Sequence, residues 1–152
     1  LPSQRNRDSK KEQRHCIFQQ LKETLQSLFD KGEPVILMGD FNENPDSESI
    51  KQLCFDQKSD QLLINPFELM FQKNQFSTFH GKQGMVFDQI IFTEKTLKER
   101  FDLKNIRAEI YASPRLQNKD NKNGKYPSRT YSGSRYIGGC SDHFPVMIWL
   151  EG

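Results

Sequence analysis

Four residues in two short motifs could carry out chemistry on a phosphoester. Asp40 and Asn42 follow the apolar run Pro34-Val35-Ile36-Leu37-Met38 and stand two apart in Gly39-Asp40-Phe41-Asn42. Residues i and i+2 of an extended segment point the same way, so both could face one substrate. There the carboxylate would hold and deprotonate a water or touch a metal, and the amide would orient an attacking or phosphoryl oxygen. Gly-Asp-x-Asn is equally a turn sequence, and its place at the end of a buried strand is what favours the functional reading. About a hundred residues on, Asp142 and His143 follow Gly138-Gly139 and precede another apolar run. They could supply a metal-binding carboxylate and a phosphate-facing imidazole. By itself that pair also reads as a polar loop with a surface His.

Asp88 is the third feature. It interrupts Val86-Phe87-Asp88-Gln89-Ile90-Ile91-Phe92, and alternation puts Val86, Asp88 and Ile90 on one face. A carboxylate beside buried side chains needs a partner, either backbone N–H groups or an imidazole that it orients. The fourth is the stretch Arg115 to Arg135, where Arg115, Lys119, Lys122, Lys125, Arg129 and Arg135 stand against Asp120, with Tyr126, Tyr131 and Tyr136 interleaved. Cations with aromatics suit phosphates and stacked bases. Lys119 to Lys125 reads as a solvated loop. Arg129, Tyr131, Arg135 and Tyr136, closer in sequence to Asp142 and His143, are candidate substrate contacts. His15 is expected on a helix surface and His80 at a strand end.

The elements that must position these groups can be read from hydrophobic periodicity. Residues 1–10 look loop-like. Ile17, Leu21, Leu25, Leu28 and Phe29 predict an amphipathic helix over 11–30, ended near Gly32. Pro34 to Met38 predicts a strand buried on both faces. Helix starts are predicted after Asn44-Pro45-Asp46-Ser47 and at Asn65-Pro66. Phe76 to His80 and Met85 to Phe92 predict one hairpin turning at Gly81-Lys82-Gln83-Gly84. Further strands are predicted at Ile106 to Tyr111 and Phe144 to Leu150, and 112–139 is the least regular part. Mixed helix and strand, with antiparallel pairing late in the chain, mean an α/β or α+β class.

With 152 residues and 34% hydrophobic content, one domain with a modest core is expected. A net charge of +2 gives no general pull toward nucleic acid. Twelve Phe and four Tyr supply enough buried surface to exclude a disordered chain. Three widely spaced cysteines, Cys16, Cys54 and Cys140, form neither a disulfide framework nor a zinc pattern. Cys16 and Cys54 are expected half-buried on helices. No apolar run approaches membrane-spanning length. The polar opening Leu1-Pro2-Ser3-Gln4-Arg5 has no signal-peptide character and no initiator Met, so the chain is expected to start within a longer protein and no compartment follows.

Taken together, Ile36 to Asn42, Phe87-Asp88-Gln89-Ile90-Ile91 and Gly139-Cys140-Ser141-Asp142-His143-Phe144-Pro145-Val146 resemble the endonuclease/exonuclease/phosphatase superfamily, the deoxyribonuclease I-like group. Each motif is common alone; the three in this order are specific. The resemblance spans the whole chain, 1–152, but only the C-terminal part of the family domain, whose two-sheet sandwich runs to ~250 residues. It implies one mixed sheet with flanking helices and an exposed inner face, which would meet the N-terminal half of the domain or a second copy of the chain.

The resemblance also implies roles. Asp40 resembles the Asp that orients or deprotonates the attacking water, and Asn42 its companion on phosphate and water. Asp88 resembles the Asp that holds the terminal His, and His143 is similar to that His, facing the phosphoryl oxygens. Asp142 resembles a metal-binding Asp, with Asp40 a second contact to Mg²⁺ or Mn²⁺. The family's metal-binding Glu, an early Asn and a further His have no counterpart here, so little activity is expected of these 152 residues alone. Substrates in this superfamily span nucleic acids and small or lipid phosphodiesters. The rival reading is a non-catalytic nucleic-acid or protein binding module that keeps the half-fold.

Overall fold

The computed structural model describes residues 7–55, 60–119 and 125–152. Its first element is a long helix, α1 (Arg7–Asp30), which begins four residues earlier than the expected start at Lys11. Phe18, Leu21, Leu25, Leu28 and Phe29 line its inner face, and Leu25 is buried. Ile17 is exposed, contrary to expectation. It lies eight residues before Leu25, roughly 80° around the helix from it, whereas Phe18 at seven falls almost in line. Cys16, next to it, is exposed rather than half-buried. Among the described residues no helix is long and apolar enough to cross a membrane.

Strand β1 (Ile36–Asp40) pairs antiparallel with β4 (Asp88–Phe92), in the register Ile36 to Phe92 through Asp40 to Asp88. The strand sits two residues later than predicted and is not buried on both faces: Ile36 is 40% and Met38 65% exposed. Only the alternate residue Leu37 packs on the core beneath α1. Between β1 and β4 come α2 (Glu48–Leu53), α3 (Phe67–Gln72), and the hairpin of β2 (Thr78–His80) with β3 (Gln83–Met85). Ser47 caps α2 by accepting the Ile50 N–H, and Asn65 Oδ1 accepts the Phe67 N–H at the start of α3.

The single hairpin expected over 76–92 is therefore two structures. Val86 donates its N–H to Asn44 Oδ1 and Phe87 accepts from Phe41 N–H, so the chain leaves the β2–β3 hairpin there and crosses to β1. Helix α4 (Glu94–Phe101) follows, closed by Asp102 in the left-handed conformation. Strand β5 (Asn105–Ile110) pairs antiparallel with β8 (Val146–Glu151), and β4 packs beside β8. Between them the supposedly irregular stretch holds a small hairpin, β6 (Tyr131–Ser132) with β7 (Arg135–Tyr136). Asp120 and Lys122 lie outside the described residues, as does the Leu1 to Arg5 opening. All four strand pairs in the described residues are antiparallel, so the class is α+β and the expected mixed sheet is not what these pairs form.

Strand β4 divides the interior. Ile91 joins Leu25, Val35, Phe41, Ile50, Leu53, Cys54 and Leu63 on one side, while Ile90 and Phe92 join Phe67, Val86 and Leu97 on the other. Polar residues at the ends of β1 and β4 are thus set by two cores at once. Leu63 is fully buried, so Leu63→Ala should lower stability by about 2–5 kcal/mol in chemical denaturation. Met38→Thr, on the open face, should stay within about 0.5 kcal/mol; a loss as large as that of Leu63→Ala would contradict the orientation of β1.

Candidate functional site

Antiparallel register alone brings Asp40 opposite Asp88. Gly39 has φ +153°, a conformation open to glycine and little else, and there the strand turns into its loop. Asp40 Oδ1 accepts the N–H of Asn42 at 2.8 Å, and Asn42 adopts φ +52°, the left-handed region that Asn tolerates. The turn reading and the strand-end reading of this motif are both realised.

Asp88 Oδ2 lies 2.7 Å from His143 Nδ1 and also accepts the Ser77 hydroxyl at 2.7 Å. Because a carboxylate only accepts, the imidazole donates from Nδ1 and turns Nε2 away from Asp88. Backbone bonds deliver His143 to this place. Phe144 N–H donates to Ser77 C=O, Thr78 Oγ1 donates to Asp142 C=O, and His143 N–H donates to Ser141 Oγ. The His143 side chain keeps 26% exposure and that of Asp88 20%, so the pair is reachable yet partly shielded from water.

His143 is held protonated above its ordinary 6.5, chiefly by the hydrogen bond to Asp88. Burial works the other way, and the charges of Asp88, Asp142 and Asp40 add to the rise. Asp40 and Asp142 are thus both close enough to act on the imidazole. A cavity of about 300 Å³ opens beside it, lined by Asp88, Leu116, Cys140, Ser141, His143 and Val146 among others. Cys54 belongs to the core: burial, then the Glu68 charge, push its thiol up to about 11, which leaves it an inert hydrophobe.

The basic and aromatic candidates are less uniform. Tyr131 and Tyr136 are cross-strand partners on the β6–β7 hairpin, edge to face at 5.5 Å, and 57% and 67% exposed. Arg135 is exposed beside them. Arg129 is already engaged, donating from Nη2 to the Phe79 carbonyl. Gly139 N–H to Arg129 C=O and Ser141 N–H to Ser128 C=O tie the base of this hairpin to the segment that carries His143. His15 and His80 are exposed, as expected.

Ser77, Thr78 and Gln89 were missed in the sequence, and all three are buried. Gln89 carried the same signal as Asp88, a polar residue inside an apolar strand. Ser77 and Thr78 carried none, because Ser and Thr are ordinary strand residues. Among the described residues no cluster of three or more His, Cys, Asp or Glu could hold a metal ion. Mg²⁺ is often held by one or two carboxylates plus substrate oxygens and water, and Asp40 and Asp142 are carboxylates of that oxygen-donor type.

A family model described as the Endonuclease/Exonuclease/phosphatase family matches residues 2–152. The chain therefore belongs to that family, a phosphoesterase and nuclease-like group of mostly hydrolytic enzymes that commonly use divalent metals. No curated protein and no solved structure matches it.

Asp88→Asn removes the main cause of the raised His143 value and leaves burial opposing it, so NMR titration of the imidazole should move down. The same elevation has a stability counterpart. The folded state holds the His143 proton more tightly than the unfolded chain, so its contribution is complete below about pH 6.5 and is lost as pH rises through the elevated value. Unfolding measured across that window should show the loss in the wild type and not in His143→Ala.

Proposed function

We propose that this protein is a divalent-metal-dependent phosphoester hydrolase acting by in-line attack of water. One observation carries the reading: an imidazole held by Asp88, whose carboxylate is itself fixed by Ser77, with the charges of Asp142 and Asp40 also acting on the ring, in a chain of this family. Asp40 orients the water and takes its proton, and Asn42 positions the water or a phosphoryl oxygen. His143, fixed at Nδ1, presents Nε2 to the phosphoryl oxygens and stabilises the charge that grows there. Asp88 fixes the ring's orientation and favours its protonated form, in which Nε2 carries the N–H that faces those oxygens. Asp142 and Asp40 would hold Mg²⁺ or Mn²⁺, and such an ion would supply neutralisation of the ester's charge.

Arg135, Tyr131 and Tyr136, with Arg129 as their anchor, contact the rest of the substrate. Their exposed cation and paired rings suit either a nucleic acid or a small or lipid phosphodiester. The fold reading extends likewise to one layer of a deoxyribonuclease I-like sandwich. Exposure of Ile36 and Met38 on β1 supports a further layer, or a second copy, covering that face.

Hydrolysis is best assayed with the full-length protein, with and without Mg²⁺, on DNA, RNA, a bis-aryl phosphodiester and a phosphomonoester. Metal-dependent turnover is expected on at least one, reduced about 10²–10⁴-fold by His143→Ala. A folded protein that turns over none of them, yet shifts with DNA in a salt-dependent way, would mark a binding module instead. Replacing Tyr131 and Tyr136 by Ala should raise KM about tenfold or more with kcat little changed, as loss of a stacked ring does; an unchanged KM would remove the hairpin from the substrate site.

A further inference from the structure

Gln89 is fully buried in a strand whose neighbours, Ile90 to Phe92, are apolar and buried. Its amide makes three hydrogen bonds. Nε2 donates to the carbonyl of Glu43 at 2.7 Å and to that of Val86 at 2.9 Å, while Oε1 accepts from Asn65 Nδ2 at 2.8 Å. The orientation of that amide is fixed by a chain of partners. Asn65 Oδ1 takes the Phe67 N–H, so Asn65 must turn its NH₂ to Gln89, and Gln89 must then turn its own NH₂ to the two carbonyls.

Those carbonyls belong to the two segments that frame the site. Residues 41–44 are pinned to 86–89 three times: Phe41 N–H to Phe87 C=O, Val86 N–H to Asn44 Oδ1, and Gln89 Nε2 to Glu43 C=O. Asn42 stands between the first and last of these pins, in the left-handed conformation, with its N–H on Asp40. An aliphatic side chain of the same size would fill the space. It would also leave the buried Val86 carbonyl, the half-buried Glu43 carbonyl and the Asn65 amide without this partner. Nothing in the packing calls for an amide at this position; the loop does.

We infer that Gln89 is a positioning residue: its buried amide locks the Glu43 carbonyl and so holds Asn42 in the left-handed turn that sets it against Asp40. The consequence for catalysis rests on the reading of Asp40 and Asn42 given above. Ser77 fixes the Asp88 carboxylate that holds the imidazole, and Gln89 orients the water-binding loop.

The test compares wild type, Gln89→Met, which keeps the volume and removes the hydrogen bonds, and Leu63→Val as a core variant of weakened stability. Amide hydrogen exchange on the full-length protein reads the loop without requiring activity. Once corrected for global stability, the Asn42 and Val86 amides should exchange about tenfold faster in Gln89→Met and not in Leu63→Val. With the ester found in the assay above, kcat should fall about 10²-fold at little change in KM, the signature of a misplaced group rather than lost binding. If Gln89→Met does not fold, Asn65→Ala, which removes the bond that orients the amide together with the Phe67 N–H cap at α3, should show the same acceleration at Asn42 and Val86 to a smaller degree. Unchanged exchange at Asn42 and Val86 in every folded variant overturns the inference. So does faster exchange with kcat intact. A wild type without turnover overturns the catalytic reading instead, and the exchange data still decide whether Gln89 holds the loop.

Discussion

One oxygen atom organises this site. Asp88 Oδ2 accepts from both His143 Nδ1 and Ser77 Oγ, so it joins the start of β4, the entry to β2 and the segment before β8. These parts are 55 and 11 residues from Asp88 along the chain. No local preference could bring them together. A carboxylate partly removed from water demands such partners, because leaving it unpaired costs more than ordering the groups that satisfy it. Backbone bonds from Phe144 to Ser77, and the Thr78 hydroxyl to Asp142, make the same junction a second and third time. The imidazole is therefore held by the tertiary fold rather than by its own loop.

The junction depends in turn on β4 standing between two cores. Ile91 packs toward α1 and α2, and Ile90 and Phe92 toward α3 and α4. A one-residue slip of β4 against β1 would exchange those faces and carry Asp88 away from both Ser77 and Asp40. Register is thus enforced by hydrophobic burial, and the polar end of the strand inherits that precision. Gln89 is the polar residue that this burial tolerates because each of its bonds is made.

Local patterns in the sequence carried more than long-range pairings did. Asp88 was legible because an acid inside Val86 to Phe92 violates the burial pattern and so requires a partner; the violation allowed N–H groups or an imidazole, and only the other motifs pointed to the imidazole. Gln89 broke the same rule and went unread, since an amide can be satisfied in many ways and an acid in few. The two-faced burial assigned to β1 failed: an apolar pentapeptide says nothing about how many neighbours its strand will have. The hairpin assigned to 76–92 failed for a related reason. Nothing in Met85-Val86-Phe87 announces that Asn44, forty-two residues earlier, will take the Val86 N–H. Ser77 had no signal at all, because its importance comes from a contact and not from its type.

Charge gives the site its remaining logic. Asp40 and Asp88 face each other across β1 and β4, an arrangement that repels unless each charge is answered. For Asp88 the answer is internal, in His143 and Ser77. Asp40 receives the Asn42 N–H, and Asp142 is exposed. The charges of Asp88, Asp142 and Asp40 add to the rise in the imidazole's proton affinity, whose chief cause is the hydrogen bond to Asp88. A phosphoester approaching such a surface would be repelled by the carboxylates, and a protein with a net charge of only +2 has little general field to offset that. On the proposed reading the offset is local. The protonated imidazole contributes part of it, the exposed Arg135 another part, and a divalent cation between Asp40 and Asp142 the largest. The same carboxylates that repel the ester are those that would gather the cation, so the acidity of the site and its suitability for an anionic substrate depend on one another.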